Sequence, residues 1–270
     1  MSQAQALKAG VLLTPFVINI EGQSYMDDFD LDRGLVLESV KEGSIYYSQP
    51  YVGDTIALFE KVLETYDYLI YFTSSQTLSG TYNAGLLARD EVSKERISII
   101  DLKSGFGGYQ WVLHHLNHLK GQYHSTKEMI ASAQAFAYHS LTYLIMDEIE
   151  SFCDYYPVSK LKQSLYQVFS KNLVLELNSN NELEKFVSRN NYDAMIHKVL
   201  LHTQQQGYTN ENAVVYITCH KDNPYLVNIK QRLIETFGEI EIKVVELSAS
   251  FLVLFGQNGL VLQFVNKSWK

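Results

Sequence analysis

The chain has 270 residues, of which 46% are hydrophobic and 19% are charged, and its formal net charge is −8. This length suffices for one large domain or two ordinary ones with a sizeable core, and the hydrophobic fraction argues against wholesale disorder. The acidic balance disfavours a general nucleic-acid-binding protein, because such proteins need a basic face to neutralise phosphates.

The cysteine content and the first residues of the chain indicate the cellular compartment to expect. Cys153 and Cys219 are too few for a disulfide framework, and neither belongs to a CxxC pair of a zinc site. The opening residues, MSQAQALKAGVLLTPF, lack the basic segment and long apolar stretch of a signal peptide. No apolar run reaches the roughly 18 residues of a membrane span. We therefore expect a protein of a reducing cytoplasm with no integral membrane segment.

The first predicted elements are a hairpin and two helices. VLLTPFVINI predicts a strand, and Glu21-Gly22 predicts the turn before a second one. The acidic stretch that follows, within residues 21–32, is either a solvated surface or a patch that faces a partner or a metal. LDRGLVLESVKEG, with its terminal Gly43, and YVGDTIALFEKVLETY each predict a helix, because their apolar residues recur at helical spacing.

Two continuous apolar runs follow, YDYLIYFT and RISIID, and each is typical of a buried strand. A helix is predicted after each run. Alternating strands and helices pair in parallel through right-handed crossovers. Residues 1–123 are therefore predicted to form an α/β domain with a parallel sheet flanked by helices.

The second half has a different pattern. Ser125-Thr126-Lys127-Glu128 is a capping box, which predicts the start of a helix. Two more helices are predicted near residues 191–206 and 223–236. Six segments have the composition of strands: LTYLIM, NLVLEL, LEKFV, AVVYIT, IEIKVVEL and LVLQFV. Residues 124–270 are therefore predicted to form a second α/β domain, with a mixed sheet and helices on one side.

The stretch YFTSSQTLSGTYNAGLLARDEV, residues 71–92, places three serines and three threonines where a strand gives way to a helix. Free amides and the positive end of the helix dipole at such a point favour a carboxylate. Ser79 can donate from its hydroxyl, and Gly80 lets a ligand approach the backbone closely. The residues alone leave two interpretations open: a ligand site, or a helix start that Ser79 or Thr77 simply caps.

The same stretch resembles a known family. SSQTLSGTYNAGLLA is similar to the S-S-x-LSGTY-x-x-A signature of DegV proteins, and further similarity lies in TPFVINIEGQSYMDDFDL, YYSQPYVGD, ISIIDLKSGFGGYQW and VVYITCHKDN. DegV-like proteins are two-domain α/β proteins that bind one long-chain fatty acid, and some hand it to a fatty acid kinase. The resemblance therefore implies a lipid-binding protein, not an enzyme, that holds an acyl chain between its domains and needs no cofactor.

The resemblance also implies a site. It places the lipid head group at Ser79, Gly80, Tyr47 and Ser48, and it makes Thr81, Leu254 and His220 candidates for the acyl tunnel or the domain interface.

Two of these positions depart from the family pattern. Tyr47 stands where the family has the threonine of its TSQPS loop, and Leu254 stands where it has a histidine. Tyr47 still has a hydroxyl, although on a longer side chain than threonine, whereas the Leu254 side chain cannot form a hydrogen bond. Burying the roughly 14 methylenes of a 16-carbon tail is worth about 11 kcal/mol of transfer free energy, against about 1.5–3 kcal/mol for one hydrogen bond to a charged group. We therefore expect weakened or reoriented binding; the alternative is a diverged regulatory or interaction protein that has lost its lipid.

The chain start also differs from the pattern. Family members open with a strand that ends in D-S-T-A-D, and this sequence begins after that point. Either the chain is shortened or its first sheet closes differently.

Other chemistry finds less support. His114 and His118 have the i, i+4 spacing of a zinc helix, but no glutamate follows the first histidine and no third ligand is evident, so no metal site is predicted. GFGGYQ lacks the features of a P-loop or a dinucleotide fingerprint and predicts a helix start packed near the sheet. Hydrolase or transferase chemistry would need a base within about 3 Å of Ser79.

Overall fold

The computed structural model describes residues 10–27, 31–103, 105–118, 125–146, 172–178 and 182–267, together with residues 6, 8, 152 and 180. The chain divides into two compact units. One comprises Met1–Gly105, Val112–Ala137 and Ser248–Ser250, and the other comprises Phe106–Trp111, Tyr138–Leu247 and Phe251–Lys270. The predicted domain boundary between residues 123 and 124 lies outside the described residues and stays a prediction.

The first unit opens with a three-stranded antiparallel sheet. In it β1 (Val17–Ile20) lies between β2 (Gln23–Met26) and β3 (Ile45–Ser48). Glu21 and Gly22 form the turn between β1 and β2, with φ of 49° and 83°, so the predicted hairpin is confirmed. Strand β3 was not predicted, because its four residues belong to a stretch whose neighbours include Pro50 and Gly53, which are typical of a loop.

Two helices of this unit match their predictions. Helix α1 (Arg33–Glu42) begins after Asp32, whose carboxylate accepts a hydrogen bond from the Gly34 amide at 2.8 Å. It ends at Gly43, where φ is 68° and a side chain would strain the backbone. Helix α2 (Val52–Leu63) follows β3.

A parallel pair of strands flanks the serine-rich stretch. Strands β4 (Leu69–Thr73) and β5 (Ile97–Asp101) are paired in parallel and are connected through helix α3 (Thr81–Val92). Phe59 of α2, Ala88 of α3 and Ile97 of β5 form a buried cluster that joins the helices to the strands. The predicted strand–helix–strand order and parallel pairing are confirmed.

Two further helices follow, α4 (Gly108–His118) and α5 (Thr126–Ala135). The predicted helix start is confirmed at α5, where Ser125 is the N-cap residue and its Oγ accepts a hydrogen bond from the Glu128 amide at 3.3 Å. A short 3-10 turn, Phe136–His139, leads on to the second sheet.

The second unit contains a six-stranded mixed sheet with the order β10-β9-β11-β6-β7-β8. Only β9 and β10 are parallel within it, as the described pairings show. The strands are β6 (Ser140–Met146), β7 (Asn172–Leu177), β8 (Leu183–Arg189), β9 (Ala213–Cys219), β10 (Glu241–Glu246) and β11 (Leu260–Asn266). All six correspond to predicted segments, so the α/β class with a mixed second sheet is confirmed.

Helices α6 (Tyr192–Gln205) and α7 (Leu226–Phe237) cover one face of this sheet. Val199 of α6 and Leu233 of α7 belong to the same buried cluster as Ile217 of β9.

A third helix of this half, α8 (Ala249–Phe255), was not predicted. Its apolar run, FLVLF, has no helical periodicity from which a helix could be told apart from a strand. None of the described helices has the length and apolar character needed to cross a bilayer.

Asp27, in the acidic stretch, is neither solvated nor part of a metal cluster among the described residues. Its side chain is 2% exposed, and its carboxylate accepts hydrogen bonds from the amides of Ala249 and Ser250 at 2.7 and 2.9 Å. For this residue the surface interpretation is wrong: it is a cap for the start of α8. Residues 28–30 of the same stretch lie outside the described residues.

The helix start predicted for GFGGYQ is present as the start of α4, and it packs on the second sheet. The Gly107 amide donates to Thr218 Oγ1 at 3.1 Å, and the Gly108 amide donates to Gln263 Oε1 at 2.6 Å. The side-chain amide nitrogen of Gln263, Nε2, in turn donates a hydrogen bond to Thr142 Oγ1 at 3.0 Å. A Cβ at position 107 would lie 2.7 Å from Tyr216 Cβ, so only glycine fits at this contact.

We expect Gly107→Ala to lower the free energy of unfolding by about 1–3 kcal/mol, because the added methyl group overpacks a buried contact with a rigid ring. Gly105→Ala is the matched control, since a Cβ at position 105 meets nothing within 4 Å. Urea unfolding followed by circular dichroism measures both variants. Equal stability of the two would contradict the packing described here.

Candidate functional site

The serine-rich stretch forms a tight turn between β4 and α3. The Ser75 carbonyl accepts hydrogen bonds from the amides of Leu78 and Ser79 at 2.8 and 3.0 Å. The Ser75 hydroxyl accepts another from the Thr77 amide at 3.1 Å. Strand β4, whose residues are half-buried except for the buried Thr73, therefore ends in a compact turn that leads to Ser79 at the start of the helix.

The carboxylate of Asp101 fixes this turn to the end of β5. It accepts a hydrogen bond from the Gln76 amide at 3.4 Å and one from the Lys103 amide at 2.7 Å. Asp101 is opposite Thr73 in the parallel register. The ends of the two strands thus meet at one edge, where a carboxylate can bind backbone amides of both following loops.

At the start of α3, a described side chain binds the first amide, that of Thr81, but neither of the next two. Gly80 is the N-cap residue, so neither Ser79 nor Thr77 occupies that position. Ser79 Oγ accepts a hydrogen bond from the Thr81 amide at 3.2 Å and lies 2.5 Å from Thr81 Oγ1. Helix geometry leaves the amides of Tyr82 and Asn83 without an intrahelical partner, and an oxygen ligand can use such amides.

The tyrosine of β4 helps to hold the strand against α3. Tyr71 packs on Gly85, where a Cβ would come within 3.0 Å of its ring. Its hydroxyl is hydrogen-bonded to Thr14 Oγ1 at 2.8 Å. Burial raises the pKa of the Tyr71 phenol, and the Thr14 contact opposes that shift, so the phenol stays neutral at physiological pH.

The end of β3 reaches the same helix start. The side-chain amide of Gln49 occupies the space that a Cβ on Gly80 would need. Successive side chains of a strand point to opposite faces, so Tyr47 and Ser48 cannot both face one ligand from a regular strand. The Tyr47 ring packs edge-on against Phe16, with 5.9 Å between ring centroids.

Two hydroxyls near this point are shielded from solvent. Ser48 Oγ and Ser74 Oγ make no hydrogen bond to any described residue, although neither atom is exposed. Buried polar atoms are nearly always paired, so each such atom needs an explanation. Ser74 was not identified from the sequence, because nothing distinguishes it from the five other serine and threonine residues of residues 71–92.

The remaining two candidates belong to the second unit. Leu254 is 2% exposed on α8. His220 follows β9 and is 2% exposed; its Nδ1 accepts a hydrogen bond from the Asp222 amide at 3.2 Å, and its Nε2 lies 4.0 Å from a Glu246 carboxylate oxygen. His220 thus stabilises its own turn. The assignment of both residues to a tunnel or interface stays a prediction.

Helix α8 also carries an aromatic cluster. Phe106 lies 4.6 Å from Phe251 and 6.1 Å from Phe255 between ring centroids, and Phe255 stacks on Phe152 at 6.0 Å. Leu254 therefore lies among apolar side chains of α8. The histidine that the family pattern has at this position would be a polar residue among them.

Neither nucleophilic nor metal chemistry is supported by the described contacts. Ser79 Oγ has no hydrogen bond to a histidine or carboxylate of the described residues, so a base for it is lacking there. His114 and His118 stack with 6.4 Å between centroids. No group of three potential metal ligands occurs in the part of the chain that the structure describes.

The DegV family model, described as one of uncharacterised proteins, matches residues 1–267. A DegV domain-containing protein of Caldanaerobacter subterraneus subsp. tengcongensis is 34% identical over 93 residues, which are 34% of this chain and 33% of that protein. The matched stretch thus spans about a third of that relative's length.

Solved structures share the fold over nearly the whole chain. A structure described as fatty acid binding of a DegV family protein from Thermus thermophilus has a TM-score of 0.86 at 18% identity, covering 98% of this chain and 95% of that one. The Streptococcus pneumoniae fatty acid kinase B3 protein, loaded with linoleic acid, has a TM-score of 0.79 at 18% identity, covering 94% and 91%. At such identities the likeness establishes the fold.

We expect Asp101→Ala to lower the free energy of unfolding by about 1–3 kcal/mol, because two amides lose a charged acceptor. Asp67→Ala is the control, because the described contact of Asp67 uses its backbone carbonyl and not its carboxylate. Chemical denaturation measures the stability, and amide hydrogen exchange at Gln76 reports on the turn itself. Unchanged exchange at Gln76 in Asp101→Ala would show that the carboxylate does not hold the turn.

Proposed function

Because the chain belongs to the DegV family, we propose that it binds one long-chain fatty acid, with the carboxylate at the start of α3. The observation that carries this proposal is the helix start after the serine-rich turn, where Ser79 binds the Thr81 amide and the amides of Tyr82 and Asn83 have no described side-chain partner. The Thermus thermophilus protein, which shares the fold, is described as fatty acid binding.

The chemistry of the helix start suits a carboxylate. A carboxylate accepts several hydrogen bonds, and the amides of Tyr82 and Asn83 together with the Ser79 hydroxyl are all donors. The positive end of the helix dipole adds a favourable electrostatic contribution of about 0.3–1 kcal/mol. Gly80 has no side chain at this point, and the Gln49 side chain lies where a Cβ on Gly80 would stand.

Most of the affinity comes from the tail. Each buried methylene contributes roughly 0.8 kcal/mol of transfer free energy, so a long acyl chain outweighs any single head-group contact. The head-group donors then set which end of the lipid lies at α3. On this basis the replacements at Tyr47 and Leu254 weaken the fixation of the head group more than the binding of the lipid.

We further infer that the chain is a carrier in the cytoplasm rather than an enzyme, and that it needs no cofactor. Ser79 has no base among its described contacts, so the chain offers a binding group instead of a nucleophile. The Streptococcus pneumoniae protein of the same fold is a fatty acid kinase component. A kinase subunit would accordingly supply the chemistry, while this chain presents the carboxylate.

A second interpretation is that of a diverged interaction protein without lipid. Tyr47 and Leu254 favour it, because both replace polar contacts of the family pattern. The same experiment decides between the two interpretations.

Native mass spectrometry of freshly purified protein is expected to show one fatty acid per chain, or stoichiometric loading after incubation with palmitic acid. Ser79→Ala should weaken palmitate binding about tenfold, because it removes one donor to a charged acceptor. Ser93→Ala, at the far end of α3, is the control. A wild-type chain that neither carries nor takes up a fatty acid would favour the lipid-free alternative.

A phosphotransfer assay tests the carrier role. With ATP and radiolabelled palmitate bound to this chain, we expect label to enter a phosphorylated product only after a fatty acid kinase subunit is added. Turnover by the chain alone would show that it is an enzyme. If no fatty acid kinase subunit from the same organism phosphorylates the bound palmitate, the proposed transfer to a kinase is contradicted.

A further inference from the structure

We propose that β4 accepts one extended peptide segment of another protein, which adds a third strand to the parallel pair of β4 and β5. The segment would bind to the free edge of β4, formed by the amides and carbonyls of Ile70 and Phe72 on the side away from β5. This inference goes beyond the proposed function and does not depend on it.

The hydrogen bonds between β4 and β5 show which main-chain groups of β4 are in use. The Leu69 amide donates to the Arg96 carbonyl at 2.8 Å, and the Thr73 carbonyl accepts from the Leu102 amide at 3.3 Å. In a parallel pair, every second residue of a strand directs both its amide and its carbonyl to the same neighbour. The odd-numbered residues of β4 therefore bond to β5.

The two even-numbered residues of β4 direct their main-chain groups to the other side. No described residue forms a hydrogen bond with the amides or carbonyls of Ile70 and Phe72, and β5 is the only described strand that pairs with β4. Both residues are half-buried, and main-chain groups shielded from water are nearly always hydrogen-bonded. An extended peptide backbone presents complementary groups at the same spacing, so it can satisfy all four.

The free edge of β4 lacks the features that protect the edges of the second sheet. Charged side chains, prolines and bulges on an edge strand prevent the addition of a further strand. Strand β10 contains Glu241, Lys243 and Glu246, and β8 is charged as well and pairs with β7 through an irregular register. Strand β4 has the sequence LIYFT, with neither a charge nor a proline. Its edge is therefore open to strand addition.

The burial of β4 indicates the size of the occupant. None of its five residues is exposed, so this edge is recessed. Two folded copies that pair edge to edge need protruding strands, whereas a single extended segment, about 5 Å wide, can enter a recess. The geometry therefore favours an extended peptide segment over a second folded copy of this chain.

The side chains of β4 indicate the chemistry of the segment. Leu69 and Tyr71 pack on the buried cluster that joins α2 and α3 to β5. Ile70 and Phe72 point to the opposite side, because successive side chains of a strand alternate. A strand beside β4 would thus have apolar neighbours on both of its faces, and strands of that kind are apolar along their whole length. We expect a segment rich in valine, isoleucine and leucine.

The test uses a fluorescein-labelled heptapeptide that alternates valine and isoleucine between two terminal lysines, which keep it soluble. The control peptide has proline in place of each isoleucine, and proline cannot donate to a strand ladder. Fluorescence anisotropy measures the binding of both peptides to the wild-type chain, to Ile70→Pro and to Val244→Pro. Val244 is the matched control position, because it is 44% exposed on the edge strand β10 and its amide also faces away from the neighbouring strand.

We expect saturable binding of the valine–isoleucine peptide to the wild type and no measurable binding of the proline peptide. Ile70→Pro removes one amide of the free edge and should weaken binding at least about fivefold. Val244→Pro should bind the peptide as the wild type does. Thermal unfolding verifies that both variants are folded.

Amide hydrogen exchange of the wild-type chain, measured by NMR, tests the same edge without a substitution. Without peptide, the amides of Ile70 and Phe72 should exchange at least about tenfold faster than that of Tyr71, which bonds to β5. The peptide should slow exchange at Ile70 and Phe72 and leave Tyr71 unchanged.

Four results would overturn the inference. The wild type does not bind the peptide, or Ile70→Pro binds it equally well. Slow exchange at Ile70 and Phe72 in the protein alone would show that the edge is already covered. Self-association in analytical ultracentrifugation that protects these amides without peptide would make a second copy the occupant. No measurement involves a fatty acid, so none of these results bears on the proposed function.

Discussion

The candidate site depends on the way in which the carboxylate of Asp101 binds two backbone amides at the ends of the parallel strand pair. One of these amides belongs to Gln76 in the serine-rich turn and the other to Lys103 after β5. Because the turn is fixed at its outer end by this carboxylate and at its inner end by the Ser75 carbonyl, Ser79 and the first residues of α3 have a defined position. A site that must orient a carboxylate needs such support, since misplaced donors lose most of their value.

Helices α3 and α4 both begin next to glycines, but their first amides have different partners. At α4 the amides of Gly107 and Gly108 are bound by Thr218 and Gln263 of the second sheet, so that helix start is part of the packing. At α3 the Ser79 hydroxyl binds the Thr81 amide and contacts Thr81 Oγ1, and no described side chain binds the amides of Tyr82 and Asn83. A glycine at a helix start therefore belongs to a structural contact in one place and to a candidate anion site in the other.

Much of the fold could be predicted from the sequence because periodicity is a local property. The strand pair β4 and β5, the capping box at Ser125 and the six strands of the second sheet all follow from residue spacing. Strand β3 was not predicted because Pro50 and Gly53 beside it are typical of a loop, and helix α8 was not predicted because its apolar run has no helical periodicity. The burial of Asp27 was missed for another reason: the amides that it caps are more than 220 residues away in the chain.

The site was predicted only in part, for the same reason. Ser79 and Gly80 could be identified from the sequence because a family signature includes them. By contrast, the Asp101 contact and the unpaired hydroxyls of Ser48 and Ser74 can be seen only in the folded structure, where segments distant in sequence lie side by side. Hydroxyl residues are also common at turns, so composition does not distinguish a ligand donor from a turn former.

The position of the head group can be tested with a crystal structure of the protein loaded with palmitate. A carboxylate oxygen is expected within hydrogen-bonding distance of Ser79 Oγ and of an amide in the first turn of α3. A head group located elsewhere, or an acyl tail end at the start of α3, would contradict it.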